Sequence, residues 1–185
     1  MKRSSLLFSL AATAALLVTA PAAWALPCSC TTSFYGTAGN DTIYGTGGSD
    51  CLHGSYGDDN LSGGGGNDCV YGAEGNDHLY GGAGGDQLYG GVFTVGDPAD
   101  VDTIDGWTEA DTIDGWTQND TIWGGTGGDA IYGYGGNDII GGEGDHDYLF
   151  GETGNDSVNG GDGVDVVNGG SGVDACTGET LIDCP

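Results

Sequence analysis

The stretch Gly63-Gly64-Gly65-Gly66-Asn67-Asp68-Cys69-Val70-Tyr71 runs straight into Gly72-Ala73-Glu74-Gly75-Asn76-Asp77-His78-Leu79-Tyr80, and then into Gly81-Gly82-Ala83-Gly84-Gly85-Asp86-Gln87-Leu88-Tyr89. In all three, glycine holds positions one and four, aspartate position six and an aliphatic residue position eight. Outward from here the same order covers Gly36 to Thr177 as fifteen units, with glycine always first and aspartate always sixth. A nine-residue period of this regularity is the mark of a solenoid, in which each unit is one small element stacked on its neighbours.

Each unit divides into six turn residues and three strand residues. Glycine at positions one and four supplies the positive φ that tight turns need. Positions seven to nine, such as Thr42-Ile43-Tyr44, form a short strand with its middle side chain inward and its outer two toward solvent. Successive strands alternate between two sheets, so one coil takes two units, and residues eighteen apart become parallel neighbours. The expected fold is all-β, a right-handed parallel β-roll, that is, a two-sheet β-solenoid of nine-residue repeats.

The expected organisation is a signal peptide over 1–25, an N-terminal cap over 26–35, the repeats over 36–177 and a C-terminal cap over 178–185. Lys2 and Arg3, the apolar run Leu6 to Ala20 and the small-residue site Ala23-Trp24-Ala25 read as a secretory signal. The expected location is secreted or extracellular, at the cell surface or in the periplasm, with no membrane span in the mature chain. Lys2 and Arg3 are the only two basic residues against 28 acidic ones, and the net charge is −26. Nucleic acid and anionic membranes are therefore poor partners, because no basic side chain neutralises phosphate.

Stacked turns put Asp41, Asp59 and Asp77 in one line and Asp50, Asp68 and Asp86 in another. Two bare rows of carboxylates need cations between them. One aliphatic per nine residues is also too thin a core to order a chain with 41 glycines. Oxygen ligands, exposed carbonyls and flexible turns suit Ca²⁺ better than Mg²⁺. Zinc or copper would want histidine or thiolate clusters, which the chain lacks.

The units from Gly63 and Gly81 resemble the haemolysin-type calcium-binding repeat of the RTX proteins, G-G-x-G-x-D-x-U-x with U aliphatic. The resemblance implies a β-roll with several Ca²⁺ ions held in the turns by the sixth-position aspartate and turn carbonyls. It carries that role onto Asp41, Asp50, Asp59, Asp68, Asp77, Asp86, Asp129, Asp138, Asp156, Asp165 and Asp174, and onto Asp147, where Asp145 replaces the second glycine. It carries less directly to Asp102, Asp111 and Asp120. The unit from Gly90 holds seven extra residues, an irregular insertion over 90–105 that is expected to bulge and break one site. Glu109 and Gln118 replace the second glycine of the next two units. Family members often carry a toxin, protease or lipase domain. The flanks here are short, so those activities are not expected to transfer.

Six cysteines in an exported chain suggest disulfides. Cys51 and Cys69 share position seven eighteen residues apart, and the roll places them side by side. Cys176 and Cys184 bracket the last coil. Cys28 and Cys30 either bond to each other or cap the first coil. His53, His78 and His146 share no face and read as surface residues.

No G-x-S-x-G, H-E-x-x-H or Walker loop is present. Paired carboxylates could imitate a glycosidase dyad, but they fall on the repeat period, which favours metal ligation. An enzyme is not expected. Tyr44, Tyr71, Tyr80, Tyr89, Trp123, Tyr132 and Phe150 occupy position nine and face out, with Tyr71 and Tyr89 expected to stack. They shield the thin sheet, or form a patch for self-association or a surface ligand. Trp107 and Trp116 lie in atypical turns where a glycan contact is conceivable. The turn positions show no regular Thr or Asx array of the kind ice binding needs. The expected function is an exported calcium-binding module, folding with Ca²⁺ and serving a structural or adhesive role. The alternative is a secreted carbohydrate-binding accessory using Trp107 and Trp116.

Overall fold

A computed structural model describes residues 29–91 and 101–184. The expected signal segment, Cys28 and the loop over 92–100 lie outside the described residues. Seventeen strands and no helix make up the described chain. Strands alternate between a nine-stranded and an eight-stranded sheet, and neighbours in each are parallel. The expected β-roll is the fold observed.

The register follows the repeat. Ile43 pairs with Leu61 and Leu61 with Leu79 in the eight-stranded sheet, while Leu52, Val70 and Leu88 align in the other. Across the insertion the step becomes 25, pairing Leu79 with Ile104 and Leu88 with Ile113. The seven extra residues therefore leave the stacking undisturbed on either side. Two files of eighth-position side chains, Leu52 to Val167, meet between the sheets and form the core, all at most 1% exposed. Phe34 and Ile43 close one end and Cys176 and Cys184 the other. Burial of these side chains is the main apolar term. It fixes register because a one-residue slip would turn each of them to solvent.

The turns depart from expectation at the first glycine. Positive φ falls at positions two and four, not one and four. Examples are Gly64 at 104° and Gly66 at 97°. Position-one glycines are required for a different reason. A Cβ at Gly81 would lie 2.5 Å from Asp86 Oδ2 and 2.8 Å from the Gly106 carbonyl oxygen of the next coil. Space, not backbone conformation, excludes a side chain there. Glu109 at 69°, Gln118 at 82° and Asp145 at 78° take up the left-handed turn without glycine. The Glu109 carboxylate accepts hydrogen bonds from the Gly84 N–H and the Thr108 hydroxyl, tying this turn to the preceding coil.

The expected Cys51–Cys69 bond is not formed. The two are register neighbours, but Cys51 is bonded to Cys30, with Cα atoms 5.6 Å apart. Parallel in-register neighbours project their Cβ bonds side by side, whereas a bridge needs Cβ vectors that converge. Cys30 meets Cys51 from the edge of the first coil, just before the strand Thr32–Tyr35. Cys69 is also disulfide-bonded. Cys176 and Cys184 are bonded, with Cα atoms 5.9 Å apart, and staple the last coil.

Candidate metal centre

Each sixth-position aspartate ends a turn and begins a strand, which holds its carboxylate inside the turn. Except for Asp41, all of them are buried, from Asp50 at 0% exposed to Asp174 at 7%. They form the two expected lines. Asp41, Asp59, Asp77, Asp102, Asp120, Asp138, Asp156 and Asp174 lead into the strands of the eight-stranded sheet. Asp50, Asp68, Asp86, Asp111, Asp129, Asp147 and Asp165 lead into those of the nine-stranded sheet.

Hydrogen bonds connect each line. From Asp41 to Asp156, the N–H of each sixth-position aspartate donates to Oδ1 of the aspartate one coil further on, for example Asp41 to Asp59 at 2.7 Å and Asp129 to Asp147 at 2.9 Å. The ladder crosses the insertion unbroken, with Asp77 donating to Asp102 and Asp86 to Asp111. Asp102, Asp111 and Asp120 thus stand in the same geometry as the rest, despite the irregular turns around them. The second line ends on Glu179, whose Oε2 accepts from the Asp165 N–H at 3.1 Å. Nothing in the repeat pattern points to Glu179, because it lies beyond the last full unit.

The other carboxylate oxygen has a different environment. Oδ2 of Asp59, Asp68, Asp86, Asp111, Asp129, Asp138, Asp147, Asp156, Asp165 and Asp174 is buried with no hydrogen-bond donor. A buried, unpaired carboxylate oxygen is costly unless a cation meets it. The first glycine supplies the space. A Cβ at Gly151 would meet both Asp156 Oδ2 at 2.5 Å and the Gly169 carbonyl oxygen at 2.6 Å. A carboxylate oxygen and a turn carbonyl from the adjacent coil therefore flank one small gap. Asp41 and Asp50 differ. Their Oδ2 atoms accept from the N–H and hydroxyl of Thr37 and of Thr46.

Among the described residues, no three His, Cys, Asp or Glu side chains converge on a common point. Side chains alone do not build a metal site here, so backbone carbonyls must complete one. That donor set is all oxygen and suits a hard cation. The residues fit Ca²⁺, which when bound would neutralise the buried carboxylates and link consecutive coils.

Burial pushes the carboxylates up, neighbouring carboxylates add to the effect, and the N–H donors oppose it. Asp59, Asp68, Asp138 and Asp147 rise to about 6, Asp86 to about 7 and Asp111 to about 8. The ordinary value is 3.8. Between these values the metal-free folded chain holds protons that the unfolded chain has released, so stability falls as pH rises. In chelator, far-UV circular dichroism is expected to show more β structure at about pH 5 than at about pH 8. The reverse order would contradict this environment for the aspartates.

A second ladder runs beside the first at position five. Asn119 Oδ1 accepts from the Asn137 N–H at 2.6 Å and Asn137 Oδ1 from the Asn155 N–H at 2.7 Å. His146 Nδ1 does the same for the Val164 N–H at 2.8 Å. His146 is therefore a turn acceptor rather than a free surface histidine. His53 is stacked between Tyr35 and Tyr71, with centroids 5.1 and 4.7 Å away, and burial lowers its pKa. The asparagines recurring at position five were the available sequence signal.

Tyr71 and Tyr89 stack at 4.7 Å. Trp107 is 56% exposed, while Trp116 stacks on Tyr134 at 5.6 Å. Trp107 lies within the strand Thr103–Thr108 of the eight-stranded sheet, and Trp116 follows the strand Thr112–Asp114 of the nine-stranded one. They lie on different turn lines and are not brought together.

Two lines of buried carboxylates, each beside a turn carbonyl of the next coil, define a calcium-binding parallel β-solenoid. The sequence matches the RTX calcium-binding nonapeptide repeat over residues 35–68, 63–93, 99–122, 117–149 and 141–175. The chain belongs to this family, whose repeats bind calcium in their turns. No curated protein matches it. Among the described residues no helix is long and apolar enough to cross a membrane.

Proposed function

We propose that this is an exported module that folds on meeting roughly 10⁻⁴–10⁻³ M Ca²⁺ and then serves a structural or adhesive role. The ligands are Oδ2 of Asp59, Asp68, Asp86, Asp111, Asp129, Asp138, Asp147, Asp156, Asp165 and Asp174, with Asp77, Asp102 and Asp120 included for their place in the ladder, together with carbonyls of the first-position glycines. Asp41 and Asp50 are left out because Thr37 and Thr46 already engage their Oδ2 atoms. The observation that carries this reading is the repeated buried Oδ2 without a donor.

A structural role is supported by exposed apolar side chains spread along the roll. Tyr44 is 68% exposed, Ile139 55%, Val164 60% and Val173 77%. The separation of Trp107 from Trp116 counts against a shared glycan site. Sedimentation velocity in Ca²⁺ is expected to show association that grows with concentration, vanishes in chelator and is unchanged by Trp107→Ala with Trp116→Ala. A chain that stays monomeric, and binds a glycan array only while both tryptophans are present, would support the carbohydrate reading instead.

A further inference from the structure

The ninth position of the nine-stranded sheet carries a row of rings. Tyr35, His53, Tyr71 and Tyr89 stack in sequence, with centroids 5.1, 4.7 and 4.7 Å apart and planes within 12°. Further along, Tyr132 and Phe150 stack at 4.9 Å and 5°. These spacings equal the distance between neighbouring strands, so the ring normals run along the roll.

One residue interrupts the row. Asp114 pairs in register with Tyr89 on one side and with Tyr132 on the other. Each stack therefore turns a ring face toward the strand of Asp114. The two faces stand roughly 9–10 Å apart, twice the strand spacing. Aspartate is shorter than tyrosine, which puts its carboxylate at the base of the gap. Trp116, two residues beyond Asp114 in the same coil, borders the gap and is stacked on Tyr134 at 5.6 Å.

Among the described residues there is no Lys or Arg to pair with the carboxylate. Lys2 and Arg3 are the only Lys and Arg residues in the sequence, and both lie outside the described residues. Burial is the single cause acting on the Asp114 carboxyl group, with no donor among the described residues offsetting it. Calcium is a poor match, because it requires several oxygen ligands and the neighbours here are ring faces. A weakly hydrated organic cation has the opposite requirement. Midway between the faces it would sit about 5 Å from each ring, within the reach of about 6 Å over which cation–π attraction acts.

We propose that Asp114, Tyr89, Tyr132 and Trp116 form a binding site for a quaternary ammonium group, separate from the calcium turns. The positive group lies between the Tyr89 and Tyr132 faces, with the Asp114 carboxylate beneath it and Trp116 beside it.

The test is isothermal titration calorimetry of choline chloride into the calcium-loaded full chain, with sodium chloride as the control. Saturable choline binding is expected, weakened about tenfold by the isosteric Asp114→Asn. Tyr132→Leu removes one ring face and is also expected to weaken it. Circular dichroism verifies that both variants remain folded. Flotation with phosphatidylcholine vesicles separates a lipid-borne group from a free one, and choline binding with or without flotation supports the site. Absence of choline binding by the native chain, or equal binding by folded Asp114→Asn, overturns the proposal.

Discussion

Gly142→Ala is expected to destabilise the calcium-loaded roll by about 3 kcal/mol or more, whereas Gly47→Ala changes stability by less than about 0.5 kcal/mol. Both replace a glycine of the repeat, and neither glycine has a positive φ. Composition and conformation do not separate them, but space does. A Cβ at Gly142 would lie 2.5 Å from the Gly160 carbonyl oxygen and against the Asp147 carboxylate. Relief requires moving the backbone of the next coil, whose strand Ser157–Asp162 is paired on both sides. At Gly47 nothing lies within 4 Å of the added methyl. Because the new methyl enters the gap beside Asp147 Oδ2, Gly142→Ala is also expected to raise the Ca²⁺ concentration needed for folding. Denaturant melts at fixed Ca²⁺ measure the first effect and calcium titrations the second. Equal behaviour of the two variants would mean that the first glycine of the repeat serves a purpose other than close approach.

Removal of calcium is expected to have the largest effect of all, loss of most of the β structure. Along each line, adjacent carboxylates are separated by roughly one strand spacing, about 4.8 Å. At that distance two ionised groups repel by about 3 kcal/mol in a medium of effective dielectric 20. The repulsion recurs down both lines, and the described chain contains no Lys or Arg to relieve it. The core opposing it is one aliphatic side chain per repeat. Protonation relieves part of the repulsion in acid, but at neutral pH a cation must. The requirement is cooperative, because from Asp59 onward Oδ1 of each aspartate also carries the ladder bond from the coil before it. Losing one turn therefore loosens its neighbours.

The period of nine made the architecture legible before any contact was known. It identified the eighth-position core, the eighteen-residue register and the two aspartate lines. It did not reveal which contact makes each recurring residue necessary. Glycine at position one looked like a conformational requirement and is a steric one, as Gly81 and Gly151 show. Aspartate looked like a pure ligand, yet Oδ1 is engaged by backbone and only Oδ2 faces the gap. A repeated letter records that a position is constrained, not by what.

Residues outside the repeat logic were harder still to read. Cys51 bonds to Cys30 because an edge residue can approach a strand from a direction that its own neighbour cannot. Glu179 closes one ladder from beyond the last unit. Asp114 is unremarkable as one more acidic residue, and acquires meaning only when the roll sets it between Tyr89 and Tyr132.

Far-UV circular dichroism of the purified chain at neutral pH, titrated first with Mg²⁺ and then with Ca²⁺, is the most direct test that metal and fold are one equilibrium. The expected result is little β signal in chelator or Mg²⁺, followed by a steep, cooperative gain with Ca²⁺ that chelator reverses. A chain already folded in chelator at neutral pH, or one indifferent to Ca²⁺, would show that the buried aspartate lines are stabilised without the ion.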